Sequence, residues 1–379
     1  MAESKAFDIA IIGGGLAGLC LAILSADKGY KTILFEKEQY PFHKVCGEYI
    51  SLESWDFLQS LGVPLQQWDL PIIKKLKATD VSGAEYCFNL DLGGFGVSRY
   101  KLDNFLYQLA VTKGVTVKTQ TKVLNAVLND DRFEIETIND KYVAKLVAGS
   151  FGKRSNLDVK WNRPFVLQKR GKLNNYIGVK YHIQFPTEQD TIALHNFKNG
   201  YCGMSAIEDG KTCLCYLTTA HNLQKAGNSI AMLEKQILGA NPQLSKIFAG
   251  ATVLYSQPLT ISQISFSNKS QVENNILMLG DAAGMITPLC GNGMSMAMHS
   301  SKLAFESMDP YLNNKLTRVQ MEAAYKQKWQ THFAKRLWVG RRVQQLFGGN
   351  YNTALFLKLM KRIPALASQV INATHGQRF

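Results

Sequence analysis

With 379 residues, 46% of them hydrophobic and 19% charged, the chain has an ordinary globular composition that excludes a disordered or fibrous protein, and its length suggests two domains, because single cores stop growing near ~250–300 residues. The formal net charge of +14 is lopsided, since residues 323–379 hold ten Lys and Arg and no Asp or Glu. Seven cysteines, an odd number with no CxxC pair, form no disulfide framework and favour a reducing cytoplasm.

The run Phe7–Ile12, the turn Gly13-Gly14-Gly15 and the Ala- and Leu-rich stretch Leu16–Lys28 predict strand, tight turn and helix, with Gly29 stopping the helix. Asp8 and the glycines interrupt the apolar stretch from Phe7 to Ala26, so it reads as a buried strand and its helix, not as a signal peptide or membrane span. Gly13 permits the turn, Gly15 lets backbone approach a pyrophosphate, and Gly18 lets helix pack on strand. The phosphates would meet the free N–H groups around Leu16 and Ala17, where the helix dipole favours an anion by about 0.3–1 kcal/mol. A second strand, Thr32–Phe35, ends in Glu36 followed by Lys37. A carboxylate there accepts from a ribose diol and favours FAD or NAD over NADP.

Leu70–Leu92 reads as a hairpin turning at Ser82-Gly83, and Gly94–Tyr100 as a turn into a helix over Leu102–Lys113. Three alternating strands follow, Lys122–Leu128, Arg132–Ile138 and Lys141–Val147. From 157 to 254 the pattern is again of strands, Ile177–Ile183, Thr191–Phe197, Gly200–Ile207 and Thr212–Thr218, broken by a helix at Ile230–Leu238. This block reads as a substrate domain whose sheet walls a pocket. His182 and His195 fall on its strands, where pocket-facing and core positions are both open. Cys213 and Cys215 would share one face with Cys202 on a neighbour, but buried thiols are ordinary core residues, so no metal is expected. Near the end, Gly280-Asp281-Ala282-Ala283-Gly284 and Pro288–Gly293 lead into a helix over Gly293–Met308. Two more helices, Val319–Leu346 and Thr353–Ala373, are separated by Gly348-Gly349-Asn350 and marked by a break at Pro364. Their basic residues could rest on an anionic membrane surface, hold an anionic substrate group, or form a solvated cap. No recognition motif suggests nucleic acid.

Taken in order, these motifs resemble the geranylgeranyl reductase-like branch of the FAD-dependent monooxygenase and reductase superfamily, relatives of para-hydroxybenzoate hydroxylase. The resemblance implies an α/β fold: a Rossmann-like βαβ FAD-binding domain with an antiparallel meander, a substrate domain with a mostly antiparallel sheet, and a C-terminal helical segment. FAD binding would fall to 1–69, 94–156 and 255–310, the substrate domain to 70–93 and 157–254, and basic helices to 311–379. Val45-Cys46-Gly47-Glu48-Tyr49-Ile50 is similar to the segment that runs past the isoalloxazine ring, and Val97-Ser98-Arg99 to the one whose arginine contacts the pyrophosphate side. Gly280-Asp281 resembles the second FAD fingerprint, whose aspartate accepts from the ribitol. Gly291, Asn292, Gly293 and Met294 open a helix whose N–H groups would face the flavin N1–O2 edge and stabilise reduced flavin.

The chain departs from the superfamily twice. Phe151 in Ala148–Ser155 stands where hydroxylases carry an aspartate, which weakens their type of nicotinamide handling, although Lys153 and Arg154 could still meet phosphates. Gly200–Ile207 lacks the tryptophan and proline of the reductase sheet motif and the paired tryptophans of flavin halogenases. Small Gly203, Ser205 and Ala206 would leave room for a ligand. Halogenation is therefore disfavoured.

The expectation is a cytoplasmic FAD-dependent oxidoreductase, peripheral on the inner membrane face if the basic helices anchor it. FAD would be non-covalent, with NADPH or NADH as transient reductant. The leading reading is a reductase of a small hydrophobic or lipid-like unsaturated substrate, with Cys46 relaying a proton after hydride transfer. His43 and Lys44 beside it could lower its pKa. The alternatives are an aromatic hydroxylase using NAD(P)H and oxygen, and a non-enzymatic prenyl-binding escort of similar fold.

Overall fold

From Ile9 to Ile12 the strand Ala6–Ile12 is apolar on both faces because it lies between parallel neighbours. In the computed structural model, which describes residues 6–167 and 175–379, it pairs in parallel with Thr32–Phe35 on one side and Lys141–Gly149 on the other. Thr116–Lys118 extends the sheet beyond Thr32–Phe35, and Ile276–Met278 beyond Lys141–Gly149. The meander Val123–Asn129 and Arg132–Thr137 runs antiparallel into Lys141–Gly149. Helices Leu16–Asp27 and Gly293–Leu312 contact each other in one large core.

The second sheet runs, in spatial order, Thr252–Val253, Tyr176–Gln184, Thr212–Thr219, Gly200–Ala206, Thr191–Phe197, Ile72–Thr79, Glu85–Gly96 and Tyr49–Ser51, with Leu259–Ile264 paired to Tyr176–Gln184. It is antiparallel except where Thr191–Phe197 meets Ile72–Thr79. Alternation divides its residues. Cross-strand register puts Gly203 with Cys215 and Ser205 with Cys213 on one face, and Cys202 with Tyr216 on the other. Cys202, Met204, Leu214 and Tyr216 pack with Leu233, Leu238, Leu244 and Ile247 beneath the helices of that outer face.

The chain adopts the expected α/β class, with several boundaries moved. The helix placed at Leu102 begins at Arg99, because the Ser98 hydroxyl caps it by accepting from the Lys101 N–H. The hairpin strands are Ile72–Thr79 and Glu85–Gly96. Helices Ala220–Lys225 and Pro242–Gly250 were not foreseen. Pro364 divides the final helix into Asn350–Arg362 and Pro364–Thr374. The domain segments shift too. Tyr49–Ser51 and Leu259–Ile264, placed in the FAD-binding portions, belong to the second sheet. Conversely, Met321, Tyr325, Trp329, Phe333 and Leu337 of the helix Arg318–Leu346 lie in the first core. Segments 1–69 and 157–254 include residues 1–5 and 168–174, which lie outside the described residues.

Candidate functional site

A cavity of about 1230 Å³ is lined from both sheets. Gly13, Gly15, Leu16, Ala17, Glu36, Lys37, Cys46, Gly47, Arg99, Gly280, Asp281, Gly291, Asn292, Gly293 and Met294 all border it. Gly18 does not, and a Cβ there would lie 2.0 Å from the Gly13 carbonyl oxygen. Its role is helix–strand packing.

At one end the two glycines nearest the helix start differ. A Cβ on Gly13, at φ +107°, would meet the Ser150 carbonyl at 2.5 Å, whereas one on Gly15 would find only Arg99 Nη2 and Lys44 Nζ, each at 3.8 Å. No side chain caps the helix Leu16–Asp27, so its first N–H groups are left for a ligand. Arg99 pairs with Asp103 at 2.6 and 2.7 Å, and Lys44 reaches the same carboxylate at 3.1 Å. Burial would depress Arg99, but the Asp103 charge more than offsets it and holds the guanidinium above its ordinary value. Two cations share one carboxylate, leaving net positive charge beside Gly15. Glu36 is buried, with its two oxygens accepting from the Gly14 N–H at 2.9 Å and the Glu38 N–H at 3.1 Å. Lone pairs remain on both oxygens for a diol. Lys37 turns to Glu38 instead, at 3.4 Å, and is largely exposed.

Further along the cavity, burial raises the Asp281 carboxyl, partly offset by Lys269, Arg99 and Lys153. Lys269 donates to the carbonyls of Lys153 and Asp281, each at 2.7 Å, and burial lowers it to about 8. Asn292 Nδ2 donates to the Thr374 carbonyl at 3.0 Å, while its Oδ1 is buried without a partner. A cationic glycine cradle, a diol-accepting glutamate and an uncapped second helix starting at Gly293 fit an FAD molecule: Gly13–Ala17, Arg99 and Lys44 would hold its pyrophosphate, Glu36 a ribose, and Asp281 the ribitol. Phe151, in place of an acid, sits with its ring 6.2 Å from that of Trp161 and offers no hydrogen bond.

Cys46 Sγ lies 3.5 Å from Met294 Sδ. Burial pushes its thiol above the ordinary value, against the Arg99 charge, so the expected lowering does not occur. The reason lies in its neighbours. His43 stacks against Tyr100 at 4.6 Å and is pushed down to about 4, chiefly by burial, so it is neutral near pH 7. Lys44 is committed to Asp103. A protonated thiol suits proton donation, not nucleophilic attack.

One buried cluster joins residues that the sequence offers only separately. Glu48, fully buried at φ +55°, pairs with Lys180, with His182 Nε2 at 2.5 Å and with the Arg99 N–H at 2.8 Å. Burial alone would raise this carboxyl; the His182 hydrogen bond and the Lys180 charge overcome it and hold it below its ordinary value. The signal was present, because Lys180 and His182 alternate with Ile177, Val179, Tyr181 and Ile183, which form the apolar opposite face of the strand. The same cluster pins the Cys46 loop: Lys180 Nζ donates to the Lys44 carbonyl at 3.1 Å, Ser205 Oγ to that of Gly47 at 3.1 Å, and Cys213 Sγ to that of Cys46 at 3.3 Å. The expected grouping of Cys202 with Cys213 and Cys215 fails, since Cys202 points to the opposite face. Glu48, His182 and Cys213 could instead surround an ion, their ligand atoms lying within 4.8 Å of one another, but the Lys180 ammonium already occupies one oxygen of the carboxylate.

His195 also belongs to the outer face, with Nδ1 3.2 Å from Thr79 Oγ1. Ala206 shares that outer face, so of the three small residues only Gly203 and Ser205 border the cavity. The sheet end is otherwise apolar, with Leu194, Leu217, Ile261, Ile264 and Met285. Tyr49 and Tyr201 also line the cavity, and their buried hydroxyls have no hydrogen-bond partner among the described residues.

This is the site of a dinucleotide-dependent redox protein. The chain belongs to the FAD binding domain family, which matches residues 6–345. It is 24% identical over 371 residues to conditioned medium factor receptor 1 of Dictyostelium discoideum, covering 87% of this chain and 69% of the relative. It is 21% identical over 364 residues to the digeranylgeranylglycerophospholipid reductase of Methanospirillum hungatei JF-1, covering 90% and 86%. Two solved structures share the fold: a geranylgeranyl bacteriochlorophyll reductase-like protein from Thermoplasma acidophilum, with a TM-score of 0.77 at 18% identity over 99% of this chain and 97% of that one, and the flavin-dependent brominase Bmp2, with 0.78 at 17% over 98% and 93%. The chain is thus an FAD-dependent oxidoreductase, and its relatives include lipid reductases and a pyrrole-carbonyl brominase.

Proposed function

We propose that this flavoprotein reduces a hydrophobic, lipid-like unsaturated substrate, with FAD held non-covalently and reduced transiently by NADPH or NADH in the cytoplasm. The observation that carries the reading is the cavity's second half. Its volume exceeds the roughly 300–1,000 Å³ of most single-ligand pockets, and beyond the FAD cradle its wall is apolar, formed by Leu194, Leu217, Ile261, Ile264 and Met285. FAD, when bound, supplies a hydride. The remaining tasks fall to the chain: the apolar wall excludes water and orients the double bond, and Cys46 keeps a proton on Sγ beside Met294 for delivery to carbon. Tyr201, with its unpartnered hydroxyl, meets a polar group of the substrate. Lys153 and Arg154, which border the cavity, receive the phosphates of the visiting nicotinamide. In this assignment the first sheet holds the cofactor and the second the substrate.

The test is anaerobic. FAD-loaded protein reduced with NADPH or NADH is mixed with an unsaturated isoprenoid lipid, and hydrogen uptake by the lipid is followed by mass spectrometry. Saturated product and reoxidised flavin support the reading. No hydrogen uptake by the lipid there, together with hydroxylation of a phenol in a parallel aerobic run, would overturn it in favour of a hydroxylase. A protein that takes up no FAD would point to the escort.

A further inference from the structure

The helix Asn350–Arg362 buries Leu357 and Met360 in a cluster with Ala78, Tyr86 and Phe88 of the second sheet. An ordinary surface helix is apolar on that one stripe and polar elsewhere. This one is not. On its outer side Tyr351 is 90% exposed, Leu355 69% and Leu359 44%, at i, i+4 and i+8, and Lys358 and Arg362 fall between them. At 3.6 residues per turn the five side chains share an arc of about 100°. Ile363, 46% exposed, continues the apolar row. On the preceding helix Trp338 is 59% exposed, with the Arg342 guanidinium 5.4 Å over its ring.

The charge carried by the segment that forms this face is of one sign, and Asp91 of the underlying strand accepts from its Asn372. Residues 323–379 contain no acid, and the ion pairs formed from this segment use Lys328, Arg336 and Arg378. Among the described residues Arg342, Lys358 and Arg362 form none. A two-fold contact with a second copy would set these cations against themselves. Aromatic and leucine side chains interleaved with Lys and Arg are instead matched by the boundary between acyl chains and anionic headgroups. The face also lies close to the substrate end of the cavity. Phe347, between the two helices, packs both on the cluster of Leu194, Tyr201 and Met285 and on the cluster beneath Asn350–Arg362.

We propose that the outer face of the helix Asn350–Arg362, with Trp338 and Arg342, seats the protein on an anionic bilayer surface. Tyr351, Leu355, Leu359 and Ile363 enter the interfacial layer, and Lys358 and Arg362 meet the headgroups. No described helix is long and apolar enough to cross a membrane. The inference does not depend on the reaction proposed above, and its readout is separate from turnover.

The experiment sediments the full FAD-loaded chain with vesicles of phosphatidylcholine alone or mixed with phosphatidylglycerol, at low and high salt. Flavin content and thermal unfolding check each variant. Wild type should prefer the anionic vesicles by about tenfold, and Tyr351→Glu with Leu355→Glu should weaken partition by about tenfold. Lys358→Glu with Arg362→Glu should abolish the preference for anionic lipid, whereas Lys326→Glu, an exposed cation on the preceding helix, should change partition by less than about twofold. Unchanged partition in the double variants overturns the proposal. So does a loss with Lys326→Glu as large as with Lys358→Glu and Arg362→Glu, which would mean diffuse attraction. Concentration-dependent dimers that Tyr351→Glu with Leu355→Glu dissolves would assign the face to self-association and also overturn it. Should the variants unfold, quenching of wild-type tryptophan fluorescence by brominated phospholipid, lost in Trp338→Phe, supports the seat; absence of quenching overturns it.

Discussion

Lys180→Met keeps most of the side-chain volume and removes the ammonium from a pair in which both partners are fully buried. Removing one partner of such a pair costs about 3–5 kcal/mol, because the remaining charge is stranded. Glu48 would keep His182 Nε2 at 2.5 Å and the Arg99 N–H at 2.8 Å, so about 3 kcal/mol is expected at pH 7. The pH dependence identifies the cause. In the wild type the Glu48 carboxyl is held below its ordinary value, so its contribution is present above the unfolded value and lost only as pH falls through the lower folded one. Without Lys180 the lowering by its charge and hydrogen bond is lost and the folded value rises, so the variant's deficit is full at high pH and closes as the carboxyl protonates. The gap should therefore shrink by about 1 kcal/mol or more between pH 7 and pH 5. Urea denaturation of the apoprotein, followed by tryptophan fluorescence at both pH values, measures it. A gap below about 1 kcal/mol at pH 7, or one unchanged at pH 5, would refute the reasoning.

Glu36→Ala should lower flavin retention after gel filtration far more than Glu38→Ala, since Glu36 alone accepts from Gly14 at the cradle; equal flavin content in the two would remove Glu36 from the site. Gly15→Ala should leave apoprotein stability within about 0.5 kcal/mol yet weaken FAD binding, because its methyl fits the fold but projects beneath Arg99 and Lys44. Gly18→Ala should instead destabilise the apoprotein, its Cβ falling 2.0 Å from the Gly13 carbonyl, and matching stabilities in the two variants would contradict that division. Cys46→Ser should retain flavin and slow turnover by about tenfold or more; unaltered turnover excludes the thiol as proton donor.

The cofactor half of the cavity was legible because its demands are local. Gly13, Gly15 and Gly18 sit within one turn and its helix, and Glu36 ends the adjoining strand, so spacing along the chain stood in for distance in space. The Glu48, Lys180 and His182 cluster was not legible, because 132 residues separate Glu48 from Lys180 and only strand pairing brings them together. Faces were misjudged for a related reason. Cys202 was grouped with Cys213 and Cys215 by residue type, but a period of two and the cross-strand register place it on the other side. Arg99 was assigned to a turn because its first-turn position depends on the Ser98 cap, which competes with the extended strand before it.

The loop carrying Cys46 follows the cofactor strand closely in sequence, yet its backbone is fastened to the other layer: Lys180, Cys213 and Ser205 donate to the carbonyls of Lys44, Cys46 and Gly47 respectively, and Tyr49–Ser51 completes that sheet's edge. The backbone that presents the thiol is thus part of the substrate-side sheet, so the position of Sγ relative to that wall is set by strand pairing and not by the cofactor-binding helices.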